Sequence, residues 1–198
     1  MKNNTNEKYV KIIDNFLPQD MFRYYDNIIH SAEELDFVYT QNSIVPFDHV
    51  SYKFKEDLQL SADVYAGEFL QFIHTIFGKD GFSTKRKDIF IPLMDHFLTQ
   101  LHMEILITSK INITFPDIAN FLAGFHVDFE YENTPNYKTG LFYLSDTDGY
   151  TVLEDGTRVE CVKNRLVIFN GSIFHSGTTC TNKNRRTTLN FNYIGKDI

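Results

Sequence analysis

The chain has no tryptophan, two cysteines and five prolines in 198 residues. Cys161 and Cys180 show neither CxxC spacing nor the density of a disulfide-stapled scaffold, so a reduced compartment is the simpler setting and apolar burial must hold the core. No apolar run approaches the ~20 residues of a membrane-crossing helix, and no membrane partner is expected. The first residues, MKNNTNEKYV, lack the apolar stretch of a secretory signal, which makes a cytoplasmic location the expectation. Positive charge is in deficit: 19 Lys and Arg against 26 Asp and Glu leave a formal charge of −7, a field that repels a phosphate backbone and disfavours a nucleic-acid partner. The short basic runs Lys85-Arg86-Lys87 and Lys183-Asn184-Arg185-Arg186 read as solvated surface.

What remains is a globular composition, 42% hydrophobic and 23% charged, at a length suited to one core, so residues 1–198 read as a single domain. Up to about residue 103 a helical support region with one short strand is expected. Tyr9 to Asp14 form that strand, and Pro18 opens a helix carrying Phe22, Tyr25, Ile28 and Ile29. Ser61 caps a second helix with Tyr65, Phe69, Phe72, Ile73 and Ile76, ended by Gly78 and Gly81. A third runs from about Asp88 to Leu101. Residues 41–60, with Pro46 and no clean period, form a long connection or a lid.

From residue 104 to 198 the segments ILITSKINITF, FLAGFHVDF, KTGLFYLS, YTVLE, TRVECV, RLVIF and RTTLNFNYI are short and rich in β-branched and aromatic residues, implying seven or eight strands. Asp148-Gly149, Asp155-Gly156 and Asn170-Gly171 supply reversals that need positive φ, so pairing should be largely antiparallel. The expected fold is mainly β: a jelly roll or barrel buttressed by about three N-terminal helices.

His126-Val127-Asp128 ends a strand-like segment, where residues two apart share a face and can grip one ion. His102-Met103-Glu104 matches the same pattern at the end of a helix, where an offset of two turns side chains apart by roughly 200°. His102, His30, His49, His74 and His96 therefore read as ordinary positions. His175 follows a strand and turn, 49 residues after His126, a separation that lets two strand ends meet at one barrel mouth. Two histidines and a carboxylate on one side of an ion leave positions open, as a non-haem Fe(II) oxygenase requires. The alternative at this point is two unrelated, hydrogen-bonded barrel histidines.

Alternation along residues 185–193, RRTTLNFNY, puts Arg186, Thr188, Asn190 and Asn192 on one face and Leu189, Phe191 and Tyr193 on the other. The polar face suits a surface strand, or equally a barrel lining with a cationic anchor whose planar donors fit a carboxylate.

Taken together, FHVD at 125–128, FYLSD at 142–146, RLVIFNG at 165–171, HSG at 175–177 and RRTTLNFNY at 185–193 resemble the Fe(II)- and 2-oxoglutarate-dependent oxygenases, in particular the prolyl-4-hydroxylase-like branch. The resemblance covers about Ile105 to Tyr193 and implies a double-stranded β-helix, the jelly roll also seen in cupins. It implies that His126, Asp128 and His175 ligate iron, and that Arg186, with Thr188 beside it and Tyr143 in contact, binds the distal carboxylate of 2-oxoglutarate. Arg186 is preferred to the adjacent Arg185 because it shares a face with Thr188 and Asn190. The implied reaction couples decarboxylation of 2-oxoglutarate, with O₂ as oxidant and ascorbate as a compatible reductant, to hydroxylation of an unactivated C–H bond. A peptide or protein residue, proline first, is the expected substrate, with small molecules open as well; the oligomeric state is left open.

Around the site, Phe125, Phe129, Phe142 and Phe174 can dry the pocket or simply be core, and residues 129–140 suggest a lid with Tyr131 and Tyr137 facing the substrate. Competing with the oxygenase are a cupin-like metalloprotein that does not use 2-oxoglutarate, which would need the barrel but not Arg186, and a degenerate non-enzymatic barrel that binds a ligand or partner.

Overall fold

The computed structural model describes residues 10–31, 35–41, 70–128 and 134–198. Its helices are α1 (Gln19–His30) and α2 (Lys87–Gln100). Its strands are β1 (Val10–Ile13), β2 (Val38–Gln41), β3 (Leu70–Gly78), β4 (Gly81–Phe82), β5 (Met103–Thr114), β6 (Tyr137–Tyr143), β7 (Tyr150–Leu153), β8 (Arg158–Glu160), β9 (Leu166–Asn170), β10 (His175–Gly177) and β11 (Arg186–Gly195). Every ladder between these strands is antiparallel. The major sheet runs β1-β9-β6-β11-β5-β3-β2, with β4 paired to β3, and the minor sheet runs β10-β7-β8. This is the double-stranded β-helix, with helices packed on the outer face of the larger sheet.

Strand alternation builds the layers. On β11, Leu189, Phe191 and Tyr193 point outward and bury with Phe22, Tyr25 and Ile29 of α1 and Phe90, Leu93, Met94 and Phe97 of α2. The Phe191 ring packs 5.1 Å from Phe97 and lies so close over Gly140 of β6 that a Cβ there would fall 2.2 Å from its Cζ. Between the sheets, Leu141 and Tyr143 of β6, Val167 and Phe169 of β9, and Leu153 and Val159 of the minor sheet form a second core. β6 is consequently buried along its whole length. Asn164, held at φ 60°, locks α1 onto this frame by donating to the Leu17 carbonyl at 2.9 Å and accepting the Leu17 N–H at 2.8 Å.

Several expectations are corrected. The second helix does not extend through Phe72, Ile73 and Ile76: Leu70–Gly78 is strand β3, paired with both β2 and β5. The described residues hold two helices, and the support region carries more than one short strand, because three strands besides β1 lie before residue 103. Tyr137 is not a lid residue; it begins β6, is 2% exposed and packs against Gly171. Of the proposed reversals only Gly156 has positive φ, at 87°; a Cβ on Gly171 would strike the Tyr137 ring and one on Gly149 the Thr179 carbonyl, so these two glycines supply room instead. Residues 42–60, the start of the supposed second helix at 61–69, Phe129 and Tyr131 lie outside the described residues. Among the described residues no helix is long and apolar enough to cross a membrane.

Candidate metal centre

His126 and His175 meet by backbone pairing. Each N–H donates to the other's carbonyl at 3.0 Å, a hydrogen-bonded antiparallel pair whose side chains emerge on one face. Their rings sit 4.7 Å apart between centroids, and Asp128, two residues on from His126, brings its carboxylate to 3.9 Å from His175 Nε2. One ligand atom from each of the three lies within 4.8 Å of the others. The His126 Nδ1–H donates to the Gly124 carbonyl at 3.0 Å and the His175 Nδ1–H to the Ile173 carbonyl at 3.3 Å. In a neutral imidazole such a bond leaves Nε2 as the lone-pair donor, as a metal ligand must be.

The electrostatics agree with that role. Burial pushes the Asp128 carboxyl up, but His175, Lys110 and His126 beside it and a bond from Asn192 more than reverse this, leaving it below the ordinary carboxylate range. For His175, burial and the neighbouring His126 outweigh the pull of Asp128 and bring its pKa down to about 4. At neutral pH the cluster is thus an ionised carboxylate with a neutral His175 imidazole, a donor set of the kind that binds Fe(II), Mn(II) or similar ions.

The cluster forms one side of a cavity of about 310 Å³ that also receives Leu141, Thr151, Gly177, Arg186, Thr188 and Asn190. Arg186 is 6% exposed, and its Nε has no hydrogen-bond partner. Its Nη2 donates to Thr151 Oγ1 at 3.0 Å, the guanidinium carbon lies 5.6 Å from the Tyr143 ring centre, and among the described residues it meets no carboxylate. A buried cation with an open donor edge is a site for an anion brought from outside. Arg185 instead points outward, donating to the His30 carbonyl at 3.1 Å.

Sequence reasoning picked out Arg186, Thr188 and Tyr143, and the structure places them around this end with differing roles. Thr188 lines the cavity. Tyr143 is fully buried and donates its hydroxyl to Thr151 Oγ1 at 2.8 Å; burial drives its pKa up to about 12. Thr151 was missed. Its oxygen accepts from both Tyr143 and Arg186, so its own hydroxyl hydrogen is left to donate to something else. The signal for it was a polar residue at an inward position of the YTVLE strand. Lys110, Asn112, Thr114 and Gln71, which continue the wall onto β5 and β3, were also missed. Register accounts for them: Arg186 faces Thr114, which faces Gln71; Thr188 faces Asn112; Asn190 faces Lys110. Phe142 belongs to the helix-side core, whereas Phe125 and Phe174 pack with Leu122, Tyr150 and Val152 beside the centre.

No family model and no curated protein matches the chain. Solved structures do. A prolyl-4-hydroxylase from Pseudomonas putida is 16% identical, with a TM-score of 0.50, 96% of this chain and 95% of that chain being covered. A prolyl hydroxylase from Trichoplax adhaerens, solved with a peptide fragment of the hypoxia inducible factor oxygen degradation domain, is 14% identical at a TM-score of 0.59, covering 95% and 84%. The epimerase SnoN, solved with Fe³⁺, alpha ketoglutarate and nogalamycin RO, is 10% identical at a TM-score of 0.62, covering 95% and 79%. The chain therefore shares the double-stranded β-helix fold of these proteins.

Proposed function

We propose that the chain is a non-haem Fe(II)- and 2-oxoglutarate-dependent dioxygenase that hydroxylates an unactivated C–H bond, with a prolyl or other residue of a peptide or protein as its substrate. One arrangement carries this reading: a cavity with a two-histidine, one-carboxylate cluster on one wall and, on another, a buried arginine whose donor edge no carboxylate among the described residues occupies. A cupin-like site without 2-oxoglutarate would have no use for that arginine. Fold neighbours that include prolyl hydroxylases, one of them holding a peptide, support the peptide substrate; an epimerase on the same fold shows that the substrate must be tested rather than transferred.

His126 and His175 would hold iron through Nε2 and Asp128 through its carboxylate, with the Gly124 and Ile173 carbonyls fixing the two rings. Bound there with 2-oxoglutarate, iron supplies the chemistry: O₂ oxidatively decarboxylates the keto acid to succinate and CO₂, and one oxygen atom enters the substrate C–H bond. Arg186 receives the distal carboxylate, its guanidinium steadied by the Tyr143 ring. Thr151 adds a hydroxyl donor whose direction is set because both of its lone-pair sides are taken by Tyr143 and Arg186. The protein's contribution is placement and exclusion of water, since Arg186, His175 and Thr188 are all at least nine-tenths buried.

The test is succinate release in the presence of Fe(II), 2-oxoglutarate and ascorbate, with mass spectrometry of a panel of proline-containing peptides. One added oxygen atom in a peptide, abolished by His175→Ala, is the expected result. Succinate without peptide oxygenation would remove the peptide substrate; no succinate under any condition would remove the dioxygenase.

A further inference from the structure

Asp128 is the ligand whose side chain is hardest to explain as a bystander, being 3% exposed and yet a carboxylate. Its oxygens are engaged by the protein itself. Asn192 Nδ2 donates to Oδ2 at 3.0 Å, and Asn190 Nδ2 reaches both oxygens, Oδ2 at 3.3 Å and Oδ1 at 3.4 Å. Lys110 Nζ stands 3.9 Å from Oδ1. Resting on the metal-site reading above, we infer that Asn190 and Asn192 are positioning residues that hold the Asp128 carboxylate in one orientation as a metal ligand, with Lys110 as a weaker electrostatic third contact.

The strand register makes this a built arrangement. Asn190 and Asn192 alternate onto the cavity face of β11, Asn190 standing opposite Lys110 on β5 and opposite Leu141 on β6, and Asn192 opposite Thr139. Asn192 is fully buried and its amide is fixed by a second donation, to Thr139 Oγ1 at 2.9 Å. With the amide nitrogens turned toward Asp128, both Oδ1 atoms are buried without a hydrogen-bond partner. Two unpaired acceptors are a cost that only makes sense if the nitrogens are needed where they are. Asp128 lies in an irregular segment rather than a ladder, so its backbone does not fix its side chain; two buried donors on β11, paired on both sides by β5 and β6, do so instead. Carboxylate ligands are commonly oriented by such outer donors, and losing one weakens metal binding by roughly 10–100-fold.

The experiment uses the full metal-free chain and Mn(II) as the probe, following free Mn(II) by electron paramagnetic resonance, and compares wild type with Asn192→Ala, Asn190→Ala and Lys110→Met. Co(II) binding is recorded in parallel by its visible ligand-field spectrum, which reports ligand geometry and is not moved by a merely structural loss. The expected result is Mn(II) affinity lowered about 10–100-fold in Asn192→Ala, less in Asn190→Ala and least in Lys110→Met, with a changed Co(II) spectrum in both asparagine variants. Wild-type affinity and spectrum in both asparagine variants would overturn the inference while leaving the metal site intact. Absence of Mn(II) and Co(II) binding in wild type would overturn the site and the inference together. Circular dichroism establishes that each variant is folded, and an unfolded Asn192→Ala leaves the decision to Asn190→Ala.

Discussion

The two faces of β11 show how one strand serves stability and chemistry at once. Leu189, Phe191 and Tyr193 look toward the helices and are 0–1% exposed in a predominantly apolar layer. Arg186, Thr188, Asn190 and Asn192 look the other way and are as deeply buried, at 0–6% exposed, yet polar or charged. Burial is nearly the same on both sides, so burial does not separate a core from a site. Unmet donors and acceptors do: Arg186 Nε and the Oδ1 atoms of Asn190 and Asn192 are unpartnered, and all belong to the cavity face. Such groups survive selection against buried unsatisfied atoms when a ligand or an ion completes them.

Substitutions on the two faces should therefore separate cleanly. The largest effect is expected from Phe191→Ala, which removes a ring wedged between Gly140 and Phe97 and should cost about 3–5 kcal/mol in chemical denaturation, while the fraction still folded keeps its affinity for 2-oxoglutarate. Equal loss of ligand affinity would mean that the faces are not independent. Next comes Arg186→Ala on the opposite face: 2-oxoglutarate binding, measured by calorimetry on the Mn(II)-loaded protein, should weaken at least ~10-fold through loss of a charge-assisted contact, with folding stability little changed. Gly177→Ala tests the same anchor from outside, because a Cβ there would lie 3.2 Å from Arg186 Nη1; a several-fold weaker 2-oxoglutarate affinity is expected, and an unchanged one would show that the guanidinium has room to shift. Thr188→Val, which keeps shape and removes only a neutral hydroxyl from the cavity wall, should weaken binding by a few-fold at most, about 1 kcal/mol.

Legibility in the sequence followed period and pairing. β11 was readable because strict polar/apolar alternation from Thr188 to Tyr193 has no helical counterpart, and α1 and α2 because most of their apolar residues fall at helical spacing. The ligand set was readable from the order FHVD, then HSG, although the contact that unites it, the direct pairing of His126 with His175, spans 49 residues and leaves no local mark. Residues 70–78 were misread because Phe69, Phe72, Ile73 and Ile76 satisfy a helical spacing while LQFIHTIFG equally alternates: Phe72 and Ile76 join the helix-side core, and Gln71 and Ile73 reach the cavity. Gly78 and Gly81 are compatible with a helix stop by residue type alone, but they bracket the two-residue turn Lys79-Asp80 of the β3–β4 hairpin. Lys110 and Asn112 were hidden for a related reason. On an inner strand the residues that reach the cavity are fixed by register with β11, and register belongs to the fold, not to the segment.

The central claim is that the cluster and the arginine form one site for ferrous iron and 2-oxoglutarate. Its most direct test is an anaerobic titration of the metal-free protein with Fe(II) and 2-oxoglutarate, following the visible charge-transfer absorption of an iron-chelated keto acid, with His175→Ala and Arg186→Ala as controls. The account predicts absorption that requires both additions, is absent in His175→Ala and needs far more 2-oxoglutarate in Arg186→Ala. Iron binding in the wild type with no such absorption at saturating 2-oxoglutarate would contradict it.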